Sequence, residues 1–542
     1  MIPLSKAFYS SEKLSTYKTY IRKGDTYNWH CSKELYQEDT SEYLNDILKE
    51  EYETIKSFYK EETHHTDLPH LPAMNYYRYK WIEDDCVFVS VDTGNWTILN
   101  SNEFLMLKKN KFTKSDLYQK LEKNFILLTE KNIKAYIKKI RIRYGFLIEG
   151  PTLHIVVVTN RCNLQCIYCQ ASSGGKKSER MTLATAIESV NRIFECPADS
   201  FIIEFQGGEP LMNFPIVKKI IEYATERSQK EKKRVEFSII SNFTDVVNEE
   251  KLRFLIAHDV SICFSLDGPK ELHERNRGKN YPDSFDVLKE KIELYKKVWS
   301  EIKNEQVILK ALLTTTSASF PLFKEIVDTY LDLGITQLNV RPITPLGRAD
   351  ATNEELNYAP DQFTLFWKQV ISYILDLRKK GVDISEFFLE LILTKLFGNE
   401  SGYMDLRSPC GASFGQIVYN YNGDIYTCDE GRMIRSDRFI IGKVHQNNLK
   451  SILKQNESVR VLDASITEQY YCDYCAFKPY CGICPVLNYQ QKGKLDINIL
   501  ESKRCAIYFE MINHVIRLLF IDKEVREEFQ KILLNVDWQK VG

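Results

Sequence analysis

Apolar residues recur along this chain in two rhythms, and the rhythm changes with position. Short β-branched runs stand at 153–159, 201–206, 235–240, 260–266, 307–315 and 336–341. The first, Leu153-His154-Ile155-Val156-Val157-Val158-Thr159, has the length and composition of a strand buried on both faces. Stretches of helical periodicity separate the runs, and strands alternating with helices imply parallel βα units. Six such units predict an α/β fold with an open, partial barrel, whose function sits on loops at the C-terminal strand ends.

Those loops carry the polar residues. The first run leads into three cysteines, and the second into Gln206-Gly207-Gly208-Glu209-Pro210. The third reaches Ser241-Asn242 and the fourth Ser265-Leu266-Asp267-Gly268-Pro269. The fifth ends in Thr314-Thr315-Thr316-Ser317 and the sixth in Arg341-Pro342.

Before residue 150 the order is strands first, then helices. Tyr77–Glu83, Cys86–Asp92 and Asn95–Leu99 read as strands, with Asp92-Thr93-Gly94 as a hairpin turn. Helical patterns follow at 102–109, 113–123 and 130–144, the last two opening with Thr113-x-x-Asp116 and Thr129-x-x-Asn132 as caps. Residues 41–62 have helical spacing, Pro69 and Pro72 mark a linker, and His64, His65 and His70 read as polar linker residues. A helical tail is expected at about 500–534. The length suits about three domains. The divisions expected are 1–74, 75–150, 151–400, 405–510 and a tail at 511–542.

Charge adds little. The net formal charge is −1, which argues against nucleic acid although lysines cluster between 108 and 139. The start, Met1-Ile2-Pro3-Leu4-Ser5-Lys6, lacks the apolar core of a signal peptide, and no run of eighteen apolar residues occurs. A cytoplasmic location is expected, where thiols stay reduced and grouped cysteines mean metal rather than disulfides.

Cysteines change the picture most. Of fourteen, Cys31, Cys86, Cys196 and Cys263 are scattered and read as small apolar side chains. Three stand as Cys162-x3-Cys166-x2-Cys169. Thiolates are the usual ligands of iron–sulfur clusters, and three of them leave one iron of a four-iron cube without a protein ligand. An open position is how a metal site does chemistry. A structural zinc knuckle is the plain alternative. Seven more are ordered as Cys410, then Cys428 after Gly423, then Cys472-x2-Cys475-x5-Cys481-x2-Cys484, then Cys505. Zinc is again the alternative, although seven thiols fit two cubes better than whole tetrahedra.

The CxxxCxxC spacing, with aromatic Tyr168 before the last cysteine, resembles the signature of radical S-adenosylmethionine (SAM) enzymes. The resemblance implies a [4Fe–4S] cluster on Cys162, Cys166 and Cys169, with SAM chelating the open iron. One electron then releases a 5′-deoxyadenosyl radical. It further places Gly207, Gly208 and Glu209 near the SAM amino group, and Ser265 and Arg277 near its ribose and carboxylate. Tyr168, Ser241 and Asn242 would complete that SAM site. The plain alternatives are a turn at Gly207–Glu209 and a surface charge at Arg277.

The seven later cysteines resemble the SPASM domain of peptide-modifying radical SAM enzymes, which carries two auxiliary [4Fe–4S] clusters. Carried across, Cys472, Cys475, Cys481 and Cys505 hold one cluster, and Cys410, Cys428 and Cys484 hold the other with one ligand short. The family has three residues, not two, between the last pair of the quartet, which leaves the Cys481 and Cys484 assignment open. Asp429 follows Cys428, where sulfatase-maturing relatives have a proposed base. A carboxylate away from water holds protons more tightly, which suits that work. A solvated turn acid is the alternative. Residues 75–150 resemble a winged-helix peptide-recognition element, which captures a leader peptide by strand addition.

The whole reads as a radical SAM core in a partial (β/α)6 TIM barrel, with a winged-helix-like domain before it and a cysteine-rich SPASM domain after it. The wording around Gly150–Thr159 and Gln170-Ala171-Ser172 is similar to maturases of the His-Xaa-Ser peptide system. The resemblance implies hydrogen abstraction from a ribosomally synthesised precursor peptide, giving a crosslink or an oxidised residue. Gln206 is a candidate for touching the peptide, and the electron donor would be of flavodoxin or ferredoxin type. Formylglycine formation, action on RNA and a non-catalytic iron–sulfur redox sensor are the alternatives.

Overall fold

The structure, a computed structural model, describes residues 71–533 apart from 113–114, 175–178, 350–355, 399–402, 435 and 467–469. The helix expected at 41–62, the histidines at 64, 65 and 70, and Cys31 lie outside the described residues.

One sheet organises the molecule. Leu153–Thr159, Ser200–Gly207, Arg234–Ser241, Ser261–Ser265, Lys310–Thr314 and Gln337–Arg341 lie side by side in chain order and pair in parallel. The sheet stays open. Ser385–Glu386 extends it beyond the sixth barrel strand. On the other side Gln416–Tyr419 pairs in parallel with the first barrel strand, Gln416 opposite Leu153. Asp424–Tyr426 and Ile440–Lys443 then add in antiparallel fashion. The cysteine-rich segment is therefore begun by the barrel's own sheet, not by a separate core.

Side-chain alternation sets what faces the lumen. In Ser200–Gly207 the residues Phe201, Ile203 and Phe205 are buried in the core shared with Val217, Ile220 and Ile221 of the next helix. Glu204 and Gln206 take the other face, as period two requires. From Ile203 onward the second strand is thus apolar on one side only, unlike the first.

The front domain has three antiparallel strands, Tyr77–Glu83, Cys86–Val91 and Trp96–Leu99, followed by helices Ser101–Lys108, Asp116–Lys123 and Ile133–Tyr144. Three caps differ from expectation: at the helix Ile133–Tyr144 the N-cap is Asn132 with no side-chain cap bond, and Thr129 Oγ1 donates to Glu122 instead. Ser115, extended and adjacent to its helix, accepts the Tyr118 N–H in place of Thr113. Asn100 and Glu103 form a reciprocal capping box that the sequence reading passed over. Val87, Val89 and Val91 face these helices. Phe88 and Ser90 face the cysteine-rich segment: Phe88 packs on Phe477 and Tyr480, and Ser90 Oγ donates to Ala476 O at 2.7 Å. Trp96 stacks on Phe88 and donates through Nε1 to Leu396 O at 2.6 Å.

The tail boundary expected at 510 falls inside one continuous helix, Lys503–Ile521. That helix packs on Pro360–Lys379 of the barrel and carries Cys505 in its first turn. No helix among the described residues is long and apolar enough to cross a membrane.

Two outcomes follow for stability. Trp96→Ala removes a fully buried ring that joins three parts of the chain, at a cost of about 3–5 kcal/mol. Limited proteolysis should then cut residues 71–150 before the barrel; unchanged cleavage order would contradict the packing. Glu386 is buried, accepts from Trp367 Nε1, Leu389 N and Val340 N, and burial pushes its carboxyl up to about 7. Because the folded form keeps a proton that the unfolded chain releases, stability falls as pH rises through that window. Between about pH 5 and pH 8, Glu386→Gln should flatten this fall in melting temperature.

Candidate functional site

Three loops hold the cysteine loop in place. Gly208 N–H donates to Thr159 O and Glu209 N–H to Arg161 O, at 2.9 and 2.8 Å. A Cβ on Gly208 would stand 2.2 Å from Arg161 O, and one on Gly207 2.2 Å from Thr159 O. The two glycines therefore let this loop lie against the cysteine loop's own backbone, a different reason for them than ligand approach. From the other side Arg348 donates to Cys169 O, Cys166 O and Ser173 O. Gly347 beside it, at φ +60°, leaves no room for a side chain against Gln170 O. Ile167 N–H donates to Asn276 O.

Each sulfur of the triplet also meets a donor. Leu164 N–H and Asn242 Nδ2 lie 3.4 and 3.6 Å from Cys162 Sγ, Arg277 Nη1 lies 3.9 Å from Cys166 Sγ, and Ser173 N–H lies 3.4 Å from Cys169 Sγ. Burial pushes the Cys162 thiol up to about 12 and the Cys166 thiol up to about 11. A thiolate held there needs a cation beside it, which a bound metal supplies.

The residues expected around SAM are gathered at this rim, though two of them are engaged internally. Glu209 is fully buried and accepts from Leu211 N, Ser241 Oγ and Asn242 N at 3.0, 3.0 and 2.7 Å. Its carboxylate ties two loops together. Arg277 is no surface charge: it is 5% exposed and pairs through Nε with Asp267 Oδ1 at 3.1 Å. Asp267 Oδ2 accepts from Tyr168 OH, and Arg277 lies over the Tyr168 ring at 5.3 Å. Ser265 is buried at the end of its strand.

Deeper in the lumen, Gln206 Nε2 and Ser238 Oγ donate to Glu204 at 2.6 and 3.0 Å. Burial raises the Glu204 carboxyl, Asp429 nearby adds to the rise, and Arg341 opposes it. Arg341 pairs with Asp405 at 2.6 Å and donates through Nη2 to Tyr403 OH at 3.1 Å. Asp429 is not set in apolar surroundings; Arg432 Nε and Nη2 both donate to its Oδ1, at 3.1 and 2.8 Å.

The later cysteines fall into two groups. Cys481 lies within electrostatic reach of Cys505, Cys475 and Cys472. Cys428 lies within reach of Cys484 and Cys410, and Glu430 stands among these three. Cys428 and Cys484 each occupy the N-cap of a helix, and Gly431 N–H donates to Cys428 Sγ at 3.3 Å. Sequence reasoning assigned no role to Asp267, Arg348, Glu204, Arg341, Glu430 or Arg504. Asp267 and Arg341 carried a signal, since both stand at barrel strand ends; Arg348 and Arg504 carried none.

Residues 156–311 match the Radical SAM superfamily. That stretch is a radical SAM domain, which implies a [4Fe–4S] cluster and SAM, and the chain is an enzyme. It is 23% identical to a cysteine-type anaerobic sulfatase-maturating enzyme of Clostridium perfringens, over 69% of this chain and all of the relative. It is 21% identical to the radical SAM cyclopropyl synthase TigE of Paramaledivibacter caminithermalis, over 73% of this chain and 81% of the relative. Its fold is similar to the solved structure of native anSMEcpe with bound AdoMet and Cp18Cys peptide, with a TM-score of 0.57 and 20% identity. That match covers 68% of this chain and 99% of the other.

Gly208→Ala should displace the cysteine loop. Anaerobically reconstituted variant is expected to lose one cluster's share of iron while keeping its far-ultraviolet dichroism; full iron content would show that the contact yields.

Proposed function

We propose that this enzyme modifies a ribosomally synthesised peptide by radical chemistry, leaving a crosslink or an oxidised residue. The observation that carries the reading is the continuity of the sheet. Because Gln416–Tyr419 pairs with the first barrel strand, the cysteine-rich segment is joined to the sheet that carries Cys162, Cys166 and Cys169, and Asp429 comes within electrostatic reach of Glu204 inside the barrel.

In this reading Cys162, Cys166 and Cys169 hold the SAM-binding cluster, and the rim of Tyr168, Gly207, Gly208, Ser241, Asn242 and Ser265 forms the SAM site. A cluster held by these three cysteines would supply one electron for the reductive cleavage of SAM. Glu209 and Arg277 act by fixing Ser241, Asn242, Tyr168 and Cys166 in place. Cys472, Cys475, Cys481 and Cys505 hold one auxiliary cluster, and Cys410, Cys428 and Cys484 hold the other.

Gln206, Glu204 and Asp429 face the lumen where the peptide would enter, shielded from water. The front domain would capture the leader along the edge strand Tyr77–Glu83, where Tyr79 and Trp81 stand exposed. An external donor of flavodoxin or ferredoxin type would supply electrons, and a cytoplasmic location keeps the thiols reduced. Formylglycine formation on a sulfatase peptide is the second reading, favoured by Asp429 directly after Cys428 and by the likeness to the sulfatase-maturating enzyme. Fragmentation of a co-expressed peptide by mass spectrometry separates the two.

With dithionite and SAM under anaerobic conditions the protein should release 5′-deoxyadenosine. Cys166→Ala should abolish this while retaining the auxiliary iron. Continued release from the variant would remove the triplet from the chemistry.

A further inference from the structure

Three cations, Lys395 and Arg407 buried and Arg143 half-buried, converge beside Cys481 from separate parts of the chain, and each has a donor without a partner among the described residues. Lys395, on the helix Phe387–Phe397, is 6% exposed, and its Nζ has no hydrogen-bond partner among the described residues. Arg143 reaches the same place from the front domain. It donates to Pro479 O, two residues before Cys481, yet its Nε is unpartnered. Arg407 stacks over Phe146 at 3.6 Å with its Nε also unpartnered. Its backbone lies against Gly482, where an added Cβ would stand 2.4 Å from Arg407 O. The helix of Lys395 packs on the turn Lys478–Tyr480 that leads into Cys481.

The anions nearby do not balance this charge. Lys395 has Asp405 and Cys481 as its negative neighbours, and Asp405 is already paired with Arg341 at 2.6 Å. Arg78 and Lys80 add two more cations within reach of Cys475. Asp473 beside Cys472 is paired with Lys478, and Asp92 is paired with Arg78. A buried unpaired ammonium costs several kcal/mol, so a chain that keeps one there has an anion for it.

We propose that Lys395, with Arg143 and Arg407, is the counter-charge to the iron–sulfur cluster held by Cys472, Cys475, Cys481 and Cys505, and sets its reduction potential. The inference rests on the cluster assignment made above. Four thiolates give such a cluster a net negative charge that grows by one when it accepts an electron. Lys395 stabilises the reduced form more than the oxidised form and so raises the potential, one of the means by which proteins tune these centres. Electrons would then be drawn outward, from the three-cysteine group toward the four-cysteine group.

The test is a redox titration followed by electron paramagnetic resonance, in a background where Cys162, Cys166 and Cys169 are all replaced by Ala so that only auxiliary signals remain. The signal of the four-cysteine cluster is identified by its loss in Cys481→Ala. Lys395→Met keeps the side chain's length and removes its charge. The expected result is at least a tenfold loss in the reduction equilibrium, about 59 mV for one electron, at that cluster alone. Lys395→Arg should restore the potential. An unchanged potential with iron retained would overturn the inference and leave the cluster assignment standing. If Cys481→Ala removes no iron or signal, the assignment itself fails and the inference falls with it. Should Lys395→Met lose the cluster, Arg143→Gln is titrated in its place, with the same drop expected and the same constancy overturning the inference.

Discussion

The parallel pairing of Leu153–Thr159 with a neighbour on each side governs the rest of this structure. Ser200–Gly207 lies along one edge of that strand and Gln416–Tyr419 along the other. The strand is therefore held along both edges, and the cysteine loop that leaves its C-terminal end inherits the position. The same pairing joins a segment more than 250 residues later in the chain to the barrel's sheet. Both sets of sulfur ligands take their relative placement from one ladder of backbone hydrogen bonds.

A loop that must hold metal ligands while presenting a vacant coordination site needs rigidity from backbone contacts, since its side chains are committed to the metal. This molecule supplies the rigidity with close approaches that only glycine allows, Gly207 and Gly208 on one flank and Gly347 on the other. Buried charge does the rest. Glu209 and the Asp267–Arg277 pair are satisfied by hydrogen bonds within the protein, so their burial is tolerated and their effect is to hold the residues around them. A carboxylate with three donors on it is a structural tie before it is a ligand for anything else.

The elements were legible in the sequence because apolar runs and their spacing report burial directly. All six barrel strands and the three strands before them stand where the runs stand. What the sequence left hidden depends on contact between distant residues. Asn100 and Glu103 needed the helix start to be known before their reciprocal cap could be seen. Continuity between barrel and cysteine-rich segment was invisible because Gln416–Tyr419 is a four-residue strand with no pattern that names its partner. Residues 405–510 looked self-contained for the same reason. At the site, motif residues were found by spacing, whereas Arg348 and Lys395 lie outside any motif and act only through what folds against them.

The two later cysteine groups differ in their electrostatic setting. Glu430 stands among Cys410, Cys428 and Cys484, with Arg504 as a compensating charge. Around Cys472, Cys475, Cys481 and Cys505 the balance is strongly cationic, through Lys395, Arg143, Arg407, Arg78 and Lys80. A carboxylate disfavours added negative charge and an ammonium favours it, so the two groups are poised in opposite senses. The front domain contributes to that asymmetry, because Arg78, Lys80 and Arg143 all belong to it. Docking of its sheet against Asp473 and Ala476 therefore does more than bury Phe88 and Trp96. It completes the charge around the four-cysteine group.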